Sequence, residues 1–137
     1  MGWLRGFKRN ATDAYFSDYI RERADWKCEY PGCFKDFSDH HQGLECSHFV
    51  SRGNKNTRWD ESNAAAFCHY HHDVMGKNPA DHYLFFEKRL GKKWLDSLLI
   101  RSKLSFKGND EQEIRMGLRL MLKKMAKEKK SKIIGAR

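Results

Sequence analysis

The sequence has no apolar run near the roughly 20 consecutive residues that a membrane-spanning helix needs. Its opening stretch, MGWLRGFKRNATD, carries charges but no continuous apolar segment and no small-residue cleavage site, so no secretory signal is expected. Both absences argue against a membrane protein and predict a cytoplasmic location, where thiols stay reduced. The four cysteines are therefore expected to be metal ligands or free thiols rather than disulfides.

Acidic residues are scarce relative to basic ones. The chain has 18 Asp and Glu against 27 Lys and Arg, which gives a net charge of +9 and a pI near 9.5. A surplus of this size favours a polyanionic partner such as DNA or RNA, although many basic surfaces serve only solubility.

Proline is also rare, with two residues in 137, and the ten glycines form no linker-like run. We therefore predict a single domain over residues 1–137. The hydrophobic fraction is 39% and the mean hydropathy is −0.86, so the core is expected to be modest and rich in aromatic residues. A bound metal would help such a chain to fold.

Periodicity divides the chain into three parts. An amphipathic helix is predicted over 11–27, capped by Thr12 or Asp13. The middle part, 28–76, holds two strands, LECSHFV and AAAFC, followed by a short helix ending at Gly76. The last part, 77–137, is basic and helical: one helix over 79–90, a second in KKWLDSLLIRSKL and a third in DEQEIRMGLRLMLKKMAKEKKSK. The third carries an apolar stripe that predicts core packing or a partner interface: Ile114, Leu118, Met121, Leu122 and Met125.

Two paired spacings predict a zinc site. Cys28 and Cys33 flank four residues that contain a Pro-Gly turn, and Cys68 and His71 are separated by two residues. Thiolate and imidazole ligands favour zinc over magnesium or calcium, and such a site is usually closed and structural. Two alternatives stay open: His72 could be the fourth ligand instead of His71, and so could Cys46, which we interpret as a buried thiol.

The run NAAAFCHYHH, residues 63–72, resembles the second half of the motif of the HNH endonucleases, also called ββα-metal nucleases. In that family an Asn is followed, after four residues, by Cys-x-x-Cys and then His or Asn; here His71 replaces the second cysteine. The longer segment from CSHFVSRG to FFEKRLGKKW is similar to phage HNH proteins such as the NinG (Rap) recombination nucleases, over roughly residues 13–96.

This resemblance implies an α+β fold: a small zinc-stabilised ββα-metal core within 28–76, with flanking helices. It also implies a metal-dependent DNA endonuclease, of phage or prophage origin, that leaves 5′-phosphate and 3′-hydroxyl ends. In such an enzyme His48 would be the general base, and Asn63 would hold the loop and orient His48 through its amide. His72 would bind the catalytic Mg²⁺ or Mn²⁺. Taken singly, His48 and Asn63 have simpler interpretations, as a satisfied polar residue and a turn or cap residue.

One position departs from the family pattern. The residue before the base is usually Asp or His and helps to bind the catalytic metal, whereas here it is Ser47. Either Ser47 itself or a ligand from elsewhere would have to complete the site. The alternative function is a non-catalytic, zinc-stabilised nucleic-acid-binding module.

DNA contacts are predicted in the loop over 51–59, where Arg52, Lys55 and Arg58 lie close to His48 in sequence. Arg52 is a candidate clamp for the scissile phosphate, and Lys55 is as easily a solvated surface residue. Cutting both strands with one site per chain would need a homodimer or a second visit. The terminal arms add further candidate phosphate contacts: Arg5, Lys8, Arg9, Lys123, Lys124 and Lys127.

Overall fold

A computed structural model describes residues 8–135, with side chains for 8–131, so Arg5 lies outside the described residues. Over these described residues the fold is α+β: five helices and one antiparallel sheet of two strands. In chain order the elements are α1 (Ala11–Arg23), β1 (Leu44–His48), a 3₁₀ turn (Glu61–Asn63), β2 (Ala64–Cys68), α2 (His69–Lys77), α3 (Pro79–Leu90), α4 (Lys92–Lys103) and α5 (Glu111–Gly135).

The first helix begins at Ala11, as the sequence predicts, but it ends earlier than predicted and its cap is a different residue. Its cap is Asn10, which forms a reciprocal capping box with Asp13, rather than Thr12 or Asp13. It ends at Arg23 instead of continuing to 27, because Asp25 and Trp26 both adopt left-handed backbone conformations, at φ 60° and 59°. The turn brings the Trp26 side chain into the core, where it is 5% exposed.

The sheet pairs β1 with β2 so that Ser47 lies opposite Ala65 and His48 opposite Ala64. Both strands were predicted, though β1 ends at His48, before Phe49 and Val50. The three alanines of β2 are at most 1% exposed, and their small side chains let helices pack closely over the sheet.

The three C-terminal helices have the predicted order, and α3 ends where Gly91 follows it at φ 82°. The long helix α5 packs along α1. Leu118, Leu122 and Met125 of its predicted stripe contact the core, whereas Met121 is 42% exposed. Within the described residues, none of the helices combines the length and apolarity needed to cross a bilayer. The largest fully buried side chains of the core are Phe16, Phe67, Phe86, Ile20, Leu95 and Leu98.

Candidate metal centre and adjoining cleft

Four side chains converge where the two-stranded sheet meets α2. Their ligand atoms, three cysteine sulfurs and one imidazole nitrogen, all lie within 4.8 Å of one another, so this group could hold a metal ion such as zinc. The His71 Nδ1 atom is 3.3 Å from the Cys68 sulfur and 3.7 Å from the Cys28 sulfur. The members of the group are Cys28, Cys33, Cys68 and His71.

Local turns aim these side chains at a common point. Gly32 adopts φ +84° in the predicted Pro-Gly turn, and the Cys33 amide donates to the Tyr30 carbonyl at 3.0 Å. On the other side, Cys68 is the N-cap of α2, and its sulfur accepts the His71 amide. The Tyr30 ring stacks on the His71 imidazole with a centroid distance of 4.0 Å, which fixes the plane of that ligand.

The two alternative ligands left open by the sequence lie elsewhere. His72 contacts Glu45 through its Nδ1 atom, and Cys46 lies on β1 outside the cluster. Burial raises the pKa of the Cys46 thiol to about 12, so this thiol is neutral and unreactive. The donor set of three thiols and one imidazole suits zinc in a closed, tetrahedral site.

A cleft of about 320 Å³ opens beside this cluster, on the β1 side. It brings together two of the three predicted catalytic residues, His48 and His72, and two predicted DNA contacts, Arg9 and Arg52. The remaining residues that line it are Asp13, Ser17, Arg21, Leu44, Glu45 and Cys46.

His48 is held by a hydrogen bond to a backbone carbonyl and by the Phe16 ring, whose centroid lies 5.5 Å from that of the imidazole. Its Nε2 atom lies 2.9 Å from the Arg58 carbonyl oxygen. Because a carbonyl only accepts, Nε2 must carry the proton, which leaves Nδ1 as the basic nitrogen. Burial, reinforced by the positive charge of Arg52, lowers the pKa of His48 to about 4. The imidazole is therefore neutral at neutral pH, as a proton acceptor must be.

Asn63 is fully buried and holds the loop between the strands. Its amide nitrogen donates to the Val50 and Thr57 carbonyls, both at 3.0 Å, and its side-chain oxygen accepts the Val50 amide at 2.7 Å. The Asn63 amide bonds backbone groups of the loop rather than the His48 imidazole. Because Thr57 precedes Arg58, Asn63 positions the carbonyl that orients His48, and its effect on His48 is indirect.

The predicted metal-binding side of the cleft is occupied by a carboxylate and a histidine. The Glu45 carboxylate contacts His72 Nδ1 through one oxygen and His69 Nδ1, at 3.1 Å, through the other. Ser47 is 2% exposed and does not line the cleft, so the suggestion that it is a metal ligand has no support in its position.

The three basic loop residues predicted to contact DNA are divided between two places. Arg52 lines the cleft, whereas Lys55 and Arg58 line a different pocket, in which the Lys55 ammonium lies 5.6 Å from the Phe106 ring centroid. The Arg58 guanidinium donates to the buried Asp13 carboxylate, at 2.9 Å from Nε. Although burial opposes ionisation, hydrogen bonds from Arg58, Asn10 and Trp59 keep the pKa of Asp13 below its ordinary value. Arg58 thus stabilises the structure, besides contributing the carbonyl that holds His48.

Two cleft residues escaped the sequence reasoning. Arg21 lies on α1, and its guanidinium donates to the Leu44 carbonyl and to Asp18. No local sequence motif marks Arg21, because its place in the cleft depends on how α1 packs against β1. Glu45 carried no usable signal either: alternate residues of a strand share a face, so Glu45 lies with Ser47, on the face of β1 opposite to Cys46 and His48.

No family model matches this chain, and neither the curated proteins nor the solved structures contain a match to it.

Proposed function

We propose that this protein is a metal-dependent DNA endonuclease of the HNH type, which hydrolyses phosphodiester bonds with His48 as the general base. The observation that carries the proposal is the cleft whose lining combines a neutral, oriented imidazole with a carboxylate–histidine pair and several arginines. A base, a candidate cation site and positive charge are the three components that phosphodiester hydrolysis needs.

In this mechanism the basic Nδ1 atom of His48 accepts a proton from water as the water oxygen attacks phosphorus. As the P–O3′ bond breaks, the leaving O3′ takes a proton from solvent water, which gives a 5′-phosphate and a 3′-hydroxyl. Mg²⁺ or Mn²⁺, when bound near His72, would stabilise the charge on the phosphorane and on the leaving oxygen. The Arg58 carbonyl keeps the Nε2 proton in place, so the imidazole presents a single tautomer.

The arginines of the cleft supply the affinity for the DNA backbone. Arg9, Arg21 and Arg52 line its wall, and guanidinium groups bind phosphate oxygens in a bidentate manner. These contacts carry no sequence information, so substrate binding is expected to be salt-sensitive and tolerant of sequence.

The Cys28–Cys33–Cys68–His71 cluster would hold a structural zinc ion. All four ligand positions are protein side chains, which leaves no position for water or substrate. Zinc would therefore stabilise the junction of β2 and α2, from which His72 projects, and the second cation would serve the reaction.

The test is plasmid nicking by the zinc-loaded protein, with Mg²⁺ or Mn²⁺ added, for the wild type and His48→Gln. We expect relaxed circles from the wild type alone, with a loss of at least about 100-fold in the variant, the usual scale of general-base catalysis. Cys46→Ala is the matched control, because Cys46 lines the same cleft without a chemical role. If the wild type binds DNA and retains zinc but never cuts, the protein is the non-catalytic binding module instead.

A further inference from the structure

The cleft contains two acidic side chains among the described residues that line it, and they differ in what they contact. Asp13 accepts hydrogen bonds from Arg58 and from the Trp59 indole at 2.9 Å, and it is 4% exposed. Its oxygens are therefore already used inside the fold. Glu45 is half-buried, and its carboxylate lies at the cleft beside His72.

The position of Glu45 on the strand explains why it reaches His72. The partner of Glu45 across the sheet is Phe67, next to Cys68, where α2 begins, so the Glu45 side chain lies beside the first turn of α2. Ser47, two residues further along β1, belongs to the same face of the strand. His69 and His72 lie one helical turn apart and both point their Nδ1 atoms at the two oxygens of this carboxylate.

We propose that the Glu45 carboxylate and the His72 imidazole together form the binding site for the catalytic divalent cation, Mg²⁺ or Mn²⁺. This assignment rests on the proposed nuclease function. A carboxylate oxygen and an imidazole nitrogen are suitable ligands for Mn²⁺, and a carboxylate is the protein ligand that Mg²⁺ most often uses. Two protein ligands leave coordination positions for water and for phosphate oxygens. His69 is a positioning residue, because it contacts the other oxygen of the carboxylate, Oε2, and not the one that His72 contacts.

The alternative role of Glu45 is orientation of His72 without contact to the cation. The carboxylate would then accept a hydrogen bond from the Nδ1–H group, and the other ring nitrogen of His72 would be the ligand. The two roles differ in one measurable respect. If Glu45 acts only through His72, its substitution has no effect once His72 is gone.

The first experiment measures Mn²⁺ binding to the zinc-loaded protein by electron paramagnetic resonance of free Mn²⁺, in the absence of DNA. We expect Glu45→Gln, which keeps the shape and removes the charge, to weaken binding by at least about 10-fold. Ser47→Ala is the matched control on the same strand face, and its affinity should stay within about two-fold of the wild type. Zinc content, measured by elemental analysis, should remain at one ion per chain in both variants.

The second experiment is a double-mutant cycle in the His72→Ala background. We expect Glu45→Gln to weaken Mn²⁺ binding further in that background, because the carboxylate is itself a ligand. Unchanged binding on adding Glu45→Gln, in either the wild-type or the His72→Ala background, would overturn the assignment.

These outcomes are separate from the fate of the nuclease proposal. A wild-type protein that binds Mn²⁺ through Glu45 but does not nick plasmid would support the cation site and contradict the nuclease. Suppose instead that nicking requires His48 and that the Glu45→Gln variant needs the same Mn²⁺ concentration for nicking as the wild type. That result would contradict the cation site alone.

Discussion

Asn63 illustrates how one buried side chain can set the geometry of a site that it does not touch. Its amide satisfies three backbone groups of the loop after β1, and that loop presents the Arg58 carbonyl to His48. In a fully buried position no water is available to replace these bonds. The side chain therefore couples the stability of the loop to the tautomer of the proposed base.

Replacing Asn63 with alanine should be strongly destabilising, because it leaves one amide and two carbonyls without their partner. At about 1–3 kcal/mol for each unsatisfied buried group, partly relieved by relaxation, we expect a loss of about 3 kcal/mol in the free energy of unfolding. Urea unfolding followed by circular dichroism measures it. Asn56→Ala is the matched control, since the Asn56 amide bonds the Leu104 carbonyl at the surface, and it should cost under about 1 kcal/mol. Equal losses in the two variants would contradict this role of Asn63.

At the residue scale, the sequence predicted which residues come together better than it predicted which atoms each residue contacts. The spacing of Cys28, Cys33, Cys68 and His71 was enough to predict the cluster, because short loops fix which ligands can meet. The contact of His48 with a backbone carbonyl could not be predicted, because it depends on the path of the 12-residue stretch 49–60, which has no periodic pattern. Contacts made by backbone groups leave no residue-type signal.

At the scale of elements, periodicity predicted the helices and strands, and the errors fall at their ends. The clearest is the end of α1, where the chain turns through Asp25 and Trp26 in the left-handed region without a glycine. Such turns usually carry glycine or asparagine, so the pattern gave no reason to stop the helix at Arg23. The turn is needed because it buries Trp26 and because it starts the loop that carries Cys28 and Cys33 to the cluster. Both requirements come from tertiary structure and not from the local sequence.

Asp25→Gly should stabilise the protein. Glycine removes the steric cost of the left-handed conformation. The substitution also removes the ion pair between the Asp25 carboxylate and the Lys129 ammonium, 3.6 Å apart, which is exposed and contributes little to stability. After the greater chain entropy of unfolded glycine is subtracted, we expect a gain of about 0.5 kcal/mol. Asp25→Ala is the control: it loses the same ion pair but keeps a Cβ, and it should be less stable than the glycine variant. Thermal unfolding of the three proteins gives the order, and alanine at or above glycine would contradict the strain argument.

At the scale of the whole molecule, the Cys28–Cys33–Cys68–His71 cluster connects the loop after α1 to the junction of β2 and α2. The loop carrying Cys28 and Cys33 has no regular structure beyond a single bridge between Lys27 and Asp36. Two bonds tie it to the sheet: the Glu29 amide donates to the Ala66 carbonyl at 2.8 Å, and the Ala66 amide donates to the Glu29 carboxylate at 2.8 Å. With a two-stranded sheet and a modest core, much of the folding free energy is expected to come from metal binding.

Zinc removal should therefore destabilise the entire fold, and Cys33 is the residue with which to show it. Cys33 is only partly buried, so Cys33→Ala removes a zinc ligand with little loss of packing. We expect the variant to lose its zinc and several kcal/mol of stability, seen as a drop of at least about 10 °C in Tm. Cys46→Ala is the matched control, because this cysteine is also partly buried but lies outside the cluster. It should keep one zinc ion per chain by elemental analysis and unfold close to the wild-type temperature. A Cys33→Ala protein that retains both zinc and the wild-type Tm would show that the cluster does not hold the fold together.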